Sequence, residues 1–220
     1  MSSPRTRGPD PHDVEGAGTH HEPCQGSGQL ASPTRECGAI MALREVLKFP
    51  DRRLRLVSRP VEQVTDDIRT LVSEMCDVMY DEPGIGLAAP QVGEAIRLIV
   101  IDTQWTEEDV ERNPLILVNP VLSEHEGKLT WTEGCLSVPD MEAEVERAQR
   151  VRLRARDLDG QEIDIGAEGL QAVCFQHEVD HLNGVLFIDH ISRLKRNRYE
   201  MRRKKQLRRE EEEAGAASPA

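Results

Sequence analysis

The chain has 220 residues, of which 38% are hydrophobic and 31% are charged, and its formal net charge is −12. This composition fits one ordinary domain with tails. Aromatic residues make up only 3%, which argues against a stacking platform for single-stranded nucleic acid, and nothing predicts sequence-specific DNA binding. There is no apolar run of membrane-spanning length and no apolar signal core at the N-terminus, so we expect a cytoplasmic protein without membrane contact.

Three regions differ in composition. Residues 1–40 are rich in Gly, Pro, Ser, His and Glu, and we expect a disordered extension. Met41 opens the first stretch that resembles a globular core, so either Met41 is the real start or residues 1–40 are a dispensable extension. We expect a globular domain over 41–191 and a charged helix with a tail over 192–220. Between Ser192 and Glu213 lie ten Lys or Arg and five Glu, which makes this segment a basic appendage on an acidic body.

The hydrophobic pattern predicts an α+β fold. An amphipathic helix is predicted over 65–80, with Thr65 as its N-cap. Strands are predicted over 96–101, 115–118, 121–126, 128–132, 151–155 and 162–165, a helix over 168–182, a short strand over 186–188 and a last helix over 192–213. Because the strands are short, turn-linked and without intervening helices, we expect them to pair in an antiparallel manner.

The helix over 168–182 carries the sequence His177-Glu178-Val179-Asp180-His181. Two His residues four positions apart lie on one face of a helix, where both can bind one metal ion. Glu178 beside them is able to take a proton from a metal-bound water. The motif supplies only two ligands, whereas a catalytic metal usually has three from the protein.

The third ligand has several candidates, which are Cys135, Cys174, His125, His190 and nearby carboxylates. Cys174 shares a helix face with His177 and His181, but seven residues of helix rise about 10 Å. Ligand atoms around one tetrahedral metal are only about 3–4 Å apart, so these three cannot converge. Cys174 is therefore interpreted as packing beneath the site. For Cys135 two interpretations remain open, a metal ligand or a buried structural cysteine.

The segment 84–93, with the sequence Gly-Ile-Gly-Leu-Ala-Ala-Pro-Gln-Val-Gly, is the other unusual feature. Its small residues allow another backbone to come close, which suits pairing with an extended peptide. It lacks the pattern of a dinucleotide fingerprint or a P-loop. Gln91 is either a donor to a developing oxyanion or a solvent-facing polar side chain of a tight loop.

Together, the segments Gly84 to Gln91, Glu133 to Ser137 and Gln176 to His181 resemble the three motifs of the peptide deformylase family, in the same order and with similar spacing. The resemblance covers about Leu43 to Leu194. It implies antiparallel sheets around the motif helix and removal of the formyl group from the initiator Met of nascent polypeptides. Pro90 departs from the family pattern, in which a small or polar residue often precedes the Gln.

The resemblance also implies a role for particular residues. The metal ligands would be Cys135, His177 and His181, and the metal Fe²⁺, with Zn²⁺, Ni²⁺ or Co²⁺ as substitutes. Glu178 would be the catalytic acid and base, and Gln91 and the N–H of Leu136 the oxyanion donors. Gly86 and Leu87 would pair with the peptide, while Ile85, Val173 and His177 would border the pocket for its Met side chain.

Two rival functions remain open. A metallopeptidase would share the His-Glu-x-x-His motif but would take its third ligand downstream, where Asp189 and His190 lie. A structural Cys/His metal site in a binding module would leave Glu178 without a role. Similarly, the basic helix is either a contact with ribosomal RNA, as the family resemblance suggests, or a solvated helix without a target.

Overall fold

A computed structural model describes residues 44–106 and 110–216. Within these residues the helices are α1 (Asp66–Asp81), α2 (Gly169–Leu182) and α3 (Arg193–Ala216). The strands are β1 (Gly86–Ala88), β2 (Leu98–Ile101), β3 (Leu115–Glu126), β4 (Leu129–Cys135), β5 (Val138–Arg147), β6 (Arg150–Arg156) and β7 (Glu162–Glu168). Short 3-10 turns cover Arg52–Arg55, Ala89–Val92 and Phe187–Asp189. The predicted disorder of residues 1–40 lies outside the described residues.

The strands form two antiparallel sheets. The larger sheet has the strand order β1-β2-β3-β6-β7, and the smaller one consists of β4 and β5. All these strands pair in an antiparallel manner, which confirms the predicted α+β class. Because β1 is a terminal strand and β4 pairs only with β5 among the described residues, each has one edge without a strand partner.

Helix α2 lies between the two sheets and presents a different side to each. Its apolar side, which includes Phe175, Val179 and Leu182, packs against the larger sheet in one continuous core cluster. These residues recur at helical spacing, so they form one stripe. Its other side carries the polar contacts to the smaller sheet, which are described below. The helix ends at Asn183, and Gly184 follows with a φ of 72°.

Gly184 fulfils two requirements at the end of α2. Its positive φ is readily adopted only by glycine or a few polar residues. A Cβ atom at this position would also lie 2.5 Å from the backbone oxygen of Arg55. The predicted end of this helix at residue 182 is therefore confirmed, and the turn after it includes a close approach that local sequence does not reveal.

The helix predicted over 65–80 is confirmed as α1. Thr65 is its N-cap, because its side chain accepts a hydrogen bond from the Ile68 N–H. The two strands predicted over 115–118 and 121–126 are instead one irregular strand, β3, with a register shift between Val118 and Val121. Asn119 accommodates the irregularity with a φ of 54°, and its amide group exchanges two hydrogen bonds of 2.8 Å with the backbone of Val61.

Two other predictions differ from the structure. The short strand predicted over 186–188 is wrong, because the chain forms a 3-10 turn there. The Asp189 side chain accepts a hydrogen bond from the Leu186 N–H at 2.9 Å and closes that turn. Strand β5 was not predicted, although Ala143 and Val145 are buried and alternate with exposed Glu residues. The charged Arg147 in the buried register and Pro139 near the start obscure that alternation.

The C-terminal helix packs against the smaller sheet. Tyr199 is 3% exposed and belongs to a core cluster with Val138, Val145 and Phe187. Its hydroxyl donates to the backbone oxygen of Pro139 at 3.1 Å. In the described part of the chain, no helix has the length and apolar character needed to cross a membrane.

Candidate active site and metal centre

The open edge of β1 borders the candidate site. Gly86 lies opposite Ile101, and the Asp102 N–H donates to the Ile85 oxygen at 2.9 Å. This pattern makes Gly86 a non-hydrogen-bonded pair with β2, so its own N–H and C=O point toward the open edge. Leu87 belongs to the hydrogen-bonded pair with Val100, and its side chain is fully buried. Of the two residues expected to pair with a peptide, only Gly86 therefore faces the open edge.

Gln91 lies in the 3-10 turn after β1 and is 2% exposed. Its side-chain oxygen accepts a hydrogen bond from the Ala88 N–H at 2.8 Å, which fixes the orientation of the amide. The amide nitrogen then donates toward the Ser137 Oγ at 3.2 Å and lies 3.7 Å from the Cys135 Sγ. The interpretation of Gln91 as a solvent-facing side chain is wrong. Its donor group is directed at the cysteine instead.

Cys135 ends β4 and begins the tight connection to β5, where it pairs with Val138. Two contacts hold this connection from outside. The Lys48 ammonium donates to the Leu136 oxygen at 3.0 Å, and the Phe49 N–H donates to the Ser137 oxygen at 2.7 Å. These contacts restrain the backbone directly after Cys135 through the Leu136 and Ser137 oxygens.

Cys135, His177 and His181 bring three possible ligand atoms within 4.8 Å of one another. The Cys135 Sγ lies 3.3 Å from the His181 Nε2, and the two imidazole centroids are 5.0 Å apart. No other such group of three occurs in the described ranges 44–106 and 110–216.

The other ligand candidates have different surroundings. Cys174 is buried, and its Sγ lies 3.7 Å from the Ile85 oxygen. His190 contacts the Asp180 carboxylate at 2.7 Å, Asp189 pairs with Arg55, and His125 is exposed. The packing role inferred for Cys174 agrees with its burial in the core against the larger sheet.

A buried ion pair supports the cluster from behind. Glu133 is 4% exposed and Arg147 is 6% exposed, and they form two hydrogen bonds of 2.7 and 3.0 Å. The same Glu133 carboxylate lies 2.8 Å from the His177 Nδ1, and Arg147 also contacts Asp180 at 2.5 Å. Burial opposes the charge of Glu133, but the contacts with His177 and Arg147 lower its pKa to about 2.

No functional role of Glu133, Arg147 or Asp180 was expected from the sequence. Two signals could have drawn attention to them. Glu133 directly precedes Gly134 and Cys135. Arg147 is a charged residue at one of the positions of β5 whose side chains are buried. Only the folded chain brings Arg147 to Glu133 and Asp180, because these residues belong to β5, β4 and α2.

The donor set fits a metal ion. One thiol and two imidazoles are common ligands for a four-coordinate metal that keeps one open position. The contact of the His177 Nδ1 with a carboxylate is typical of metal-binding His residues and leaves its Nε2 available. Burial opposes a positive charge on His177, yet the neighbouring Cys135 and Glu133 raise its pKa well above the usual value.

Glu178 is buried beside this cluster and is 4% exposed. Its Oε2 has no hydrogen-bond partner among the described residues. Burial raises its pKa to about 7, so the carboxylate can both accept and release a proton near neutral pH. A Cβ atom at position 86 would lie 2.5 Å from the Glu178 Oε1. Only glycine at position 86 allows β1 to approach this carboxylate so closely.

A cavity of about 670 Å³ connects these groups. Most of the residues singled out from the sequence line it: Ile85, Gly86, Gln91, Cys135, Leu136, Val173, His177 and Glu178. Leu87 and His181 do not line it. His181 is 1% exposed, and burial holds its pKa well below the usual value, so it remains a neutral imidazole able to bind a metal.

Comparisons with known proteins agree with one another. Residues 43–197 match the family model of polypeptide deformylase. A peptide deformylase of Nitrobacter hamburgensis is 53% identical over 161 residues, which cover 72% of this chain and 92% of that relative.

Solved structures give the same result. The crystal structure of a peptide deformylase from Legionella pneumophila is 41% identical, with a TM-score of 0.70, and the match covers 81% of this chain and all of that one. A peptide deformylase from Acinetobacter baumannii, solved with Met-Ala-Ser bound, is 35% identical with a TM-score of 0.64, over 68% of this chain and 98% of that one. The chain belongs to the peptide deformylase family, the metal-dependent enzymes that remove N-formyl groups from nascent peptides.

Proposed function

We propose that the cavity bordered by β1 and β4 is the site at which this deformylase hydrolyses the formyl group of the initiator Met. The observation that carries this proposal is the meeting of three ligand atoms and an unpaired buried carboxylate beside one cavity. A buried carboxylate without a partner is costly for the fold, so such a group is typical of a catalytic site. The same observation disfavours a purely structural metal site, in which Glu178 would have no role.

The peptide backbone binds between the two open strand edges. Gly86 on β1 and Gly134 on β4 both line the cavity. Because neither carries a side chain, an extended chain can approach both backbones and form main-chain hydrogen bonds. The related structure with Met-Ala-Ser bound supports an extended tripeptide as the ligand of such a site. The Met side chain enters the apolar part of the cavity near Ile85, Val173 and His177.

Cys135, His177 and His181 hold the metal ion. A bound divalent metal supplies Lewis-acid chemistry, which makes a water molecule more acidic and polarises a carbonyl oxygen. We propose Fe²⁺ as the native ion, as the family resemblance implies. A thiolate with two imidazoles also accepts Zn²⁺, Ni²⁺ or Co²⁺, so these ions are possible substitutes. His177 is oriented for this role by Glu133, which is itself held by Arg147.

Glu178 carries the proton of the reaction. It accepts a proton from the attacking water and delivers it to the nitrogen as the bond between the formyl carbon and that nitrogen breaks. The products are formate and a free N-terminal amine. The pKa of about 7 suits both halves of this transfer.

Gln91 and Leu136 stabilise the negative charge that develops on the formyl oxygen. The Gln91 amide nitrogen is aimed toward Cys135 by the contact of its oxygen with Ala88. The N–H of Leu136 belongs to the next residue after that cysteine, and Lys48 holds the following peptide group through the Leu136 oxygen. A fixed donor of this kind typically lowers the barrier by about 3 kcal/mol.

The test is a formate-release assay on anaerobically purified protein, with metal analysis of the same sample. Formyl-Met-Ala-Ser should yield formate and free amine in equal amounts, and acetyl-Met-Ala-Ser should yield no acetate. Chelation of the metal should stop formate release, and addition of Fe²⁺ or Co²⁺ should restore it. Cleavage after the Met instead, without formate, would establish the metallopeptidase alternative.

Three further assignments belong to the same proposal. The catalytic domain spans residues 41–191, with residues 1–40 as an extension and 192–220 as an appendage, which is consistent with the family match over 43–197. The protein acts in the cytoplasm, where nascent chains emerge.

The basic helix α3 contacts ribosomal RNA. Truncation after Leu194 should abolish ribosome co-sedimentation, and co-sedimentation that is unchanged by truncation or by salt would contradict the RNA contact.

A further inference from the structure

The charged lining of the cavity is acidic except for His177. Four carboxylates line it, from Glu133, Asp140, Glu142 and Glu178, and no Lys or Arg of the described residues does. Glu133 is neutralised by Arg147, and Glu178 is the buried group that takes part in the reaction. The other two, Asp140 and Glu142, are exposed, and we call this pair the acidic lip. Neither forms a salt bridge with a described residue.

Two basic residues of the surrounding segments, Arg202 and Lys48, already have partners. Arg202 donates to the backbone oxygen of Asp140 at 2.7 Å, and its guanidinium lies over the Tyr199 ring. Lys48 contacts the Leu136 oxygen and the Glu82 carboxylate. The carboxylate of Glu142 therefore remains available to a ligand that carries a positive charge, and that of Asp140 is only partly offset by Arg202.

The position of the acidic lip relates it to particular substrate residues. A peptide whose formylated end lies at Cys135 must run back along β4, past Gly134 and Thr132, which both line the cavity. The Glu142 Cγ lies 3.7 Å from the place where a Cβ of Gly134 would be, so its side chain extends over this path. Since an extended chain advances about 3.3 Å per residue, the second and third residues pass beside the lip.

We propose that Asp140 and Glu142 make this deformylase select nascent chains with Lys or Arg at the third residue. This inference rests on the proposed function, because it assumes that the peptide lies between β1 and β4. The cavity is identified as a ligand site independently of the lip, by the unpartnered and buried Glu178. The lip lies on the exposed rim, so it discriminates by electrostatic attraction rather than by a closed pocket.

The expected size of the effect follows from exposed ion pairs. One such pair changes a binding constant by a factor of about 1.4 to 5. A Lys is attracted by two carboxylates and a Glu is repelled by the same two. The ratio of kcat/KM for formyl-Met-Ala-Lys over formyl-Met-Ala-Glu should then be about 5 to 20 at low ionic strength, and most of the difference should lie in KM. Raising NaCl from about 20 mM to about 500 mM should reduce the ratio severalfold.

Variants of the metal-loaded full-length protein test whether the acidic lip causes this preference. Asp140→Asn with Glu142→Gln should bring the Lys-over-Glu ratio close to one, and Glu142→Lys should reverse it. The matched control is Glu146→Gln, which removes one charge from the same strand face at a residue that does not line the cavity and pairs with Lys128. This control should keep the wild-type ratio.

Two results overturn the inference. One is a wild-type ratio near one, and the other is a wild-type ratio that persists in Asp140→Asn/Glu142→Gln. Either result would come from an enzyme that still releases formate from the neutral peptide formyl-Met-Ala-Ser. Absence of formate from that neutral peptide would instead contradict the proposed function, so the two failures are distinguishable.

Discussion

Helices α2 and α3 use polar residues in opposite ways. Nine of the fourteen residues of α2 are buried, and three of its polar side chains have fixed partners: Gln176 bonds to Ala148, His177 to Glu133 and Asp180 to Arg147. In α3, Tyr199 and Arg203 are the buried residues among the described side chains. The charged side chains of α2 are largely removed from water, whereas most of those of α3, with the exception of Arg203, remain hydrated. Substitutions that replace polar residues of α2 should therefore impair the enzymatic reaction, and those that replace exposed polar residues of α3 should not.

The largest expected effect concerns the cysteine that meets α2. Cys135→Ala should lose the metal and with it all formate release, because two imidazoles remain as ligands. Cys174→Ala, on the buried face of α2, should retain the metal and lose only packing. Metal-to-protein ratios of the two variants, purified in parallel under anaerobic conditions, measure this difference. Equal metal-to-protein ratios in the two variants would contradict the assignment of Cys135 as a metal ligand and of Cys174 as a packing residue.

A second test compares one Glu in each helix. Glu178→Gln should lower kcat by about 10²- to 10⁴-fold, since the proton carrier is lost, while the metal content stays at the wild-type level. Glu200→Gln removes the same charge from α3 and should leave kcat unchanged. The measurement is formate release at saturating formyl-Met-Ala-Ser. Near-wild-type turnover of Glu178→Gln would contradict the role of Glu178 as the proton carrier.

Glu133 tests whether the contacts of α2 matter beyond the ligands themselves. Glu133→Gln keeps the size of the side chain but weakens the hold on His177 and leaves the buried Arg147 without its charged partner. Metal affinity should fall by about 10- to 100-fold, as measured by competition with a chelator. An affinity equal to that of the wild type would mean that His177 needs no orientation by Glu133.

The smallest effect is expected in α3. Tyr199→Phe removes the hydrogen bond to the Pro139 oxygen and should lower the free energy of unfolding by about 1 kcal/mol. Leu194→Ser, at a residue that is 63% exposed, should change it by less than about 0.5 kcal/mol. Urea denaturation of the metal-loaded proteins provides both values. A larger loss for Leu194→Ser than for Tyr199→Phe would show that α3 is held by its exposed face.

The sequence contains the local signals of this fold but few of its long-range pairings. The spacing of His177 and His181 and the stop at Asn183-Gly184 depend on neighbours along the chain, so α2 could be predicted. The contact between Arg147 and Glu133 joins two strands, and the hydrogen bonds of Asn119 with Val61 join segments far apart in sequence. Such contacts leave no periodic pattern. For the same reason Leu87 could not be distinguished from Gly86 before the register with β2 was known.

X-ray absorption spectroscopy of the zinc-loaded protein tests the proposed metal centre most directly. We expect one sulfur scatterer at about 2.3 Å and two imidazole nitrogens at about 2.0–2.1 Å. The sulfur should be absent from the coordination shell of any zinc that Cys135→Ala retains. A zinc shell without sulfur, or a sulfur scatterer that persists in Cys135→Ala, would contradict the assignment of Cys135, His177 and His181 as the ligands.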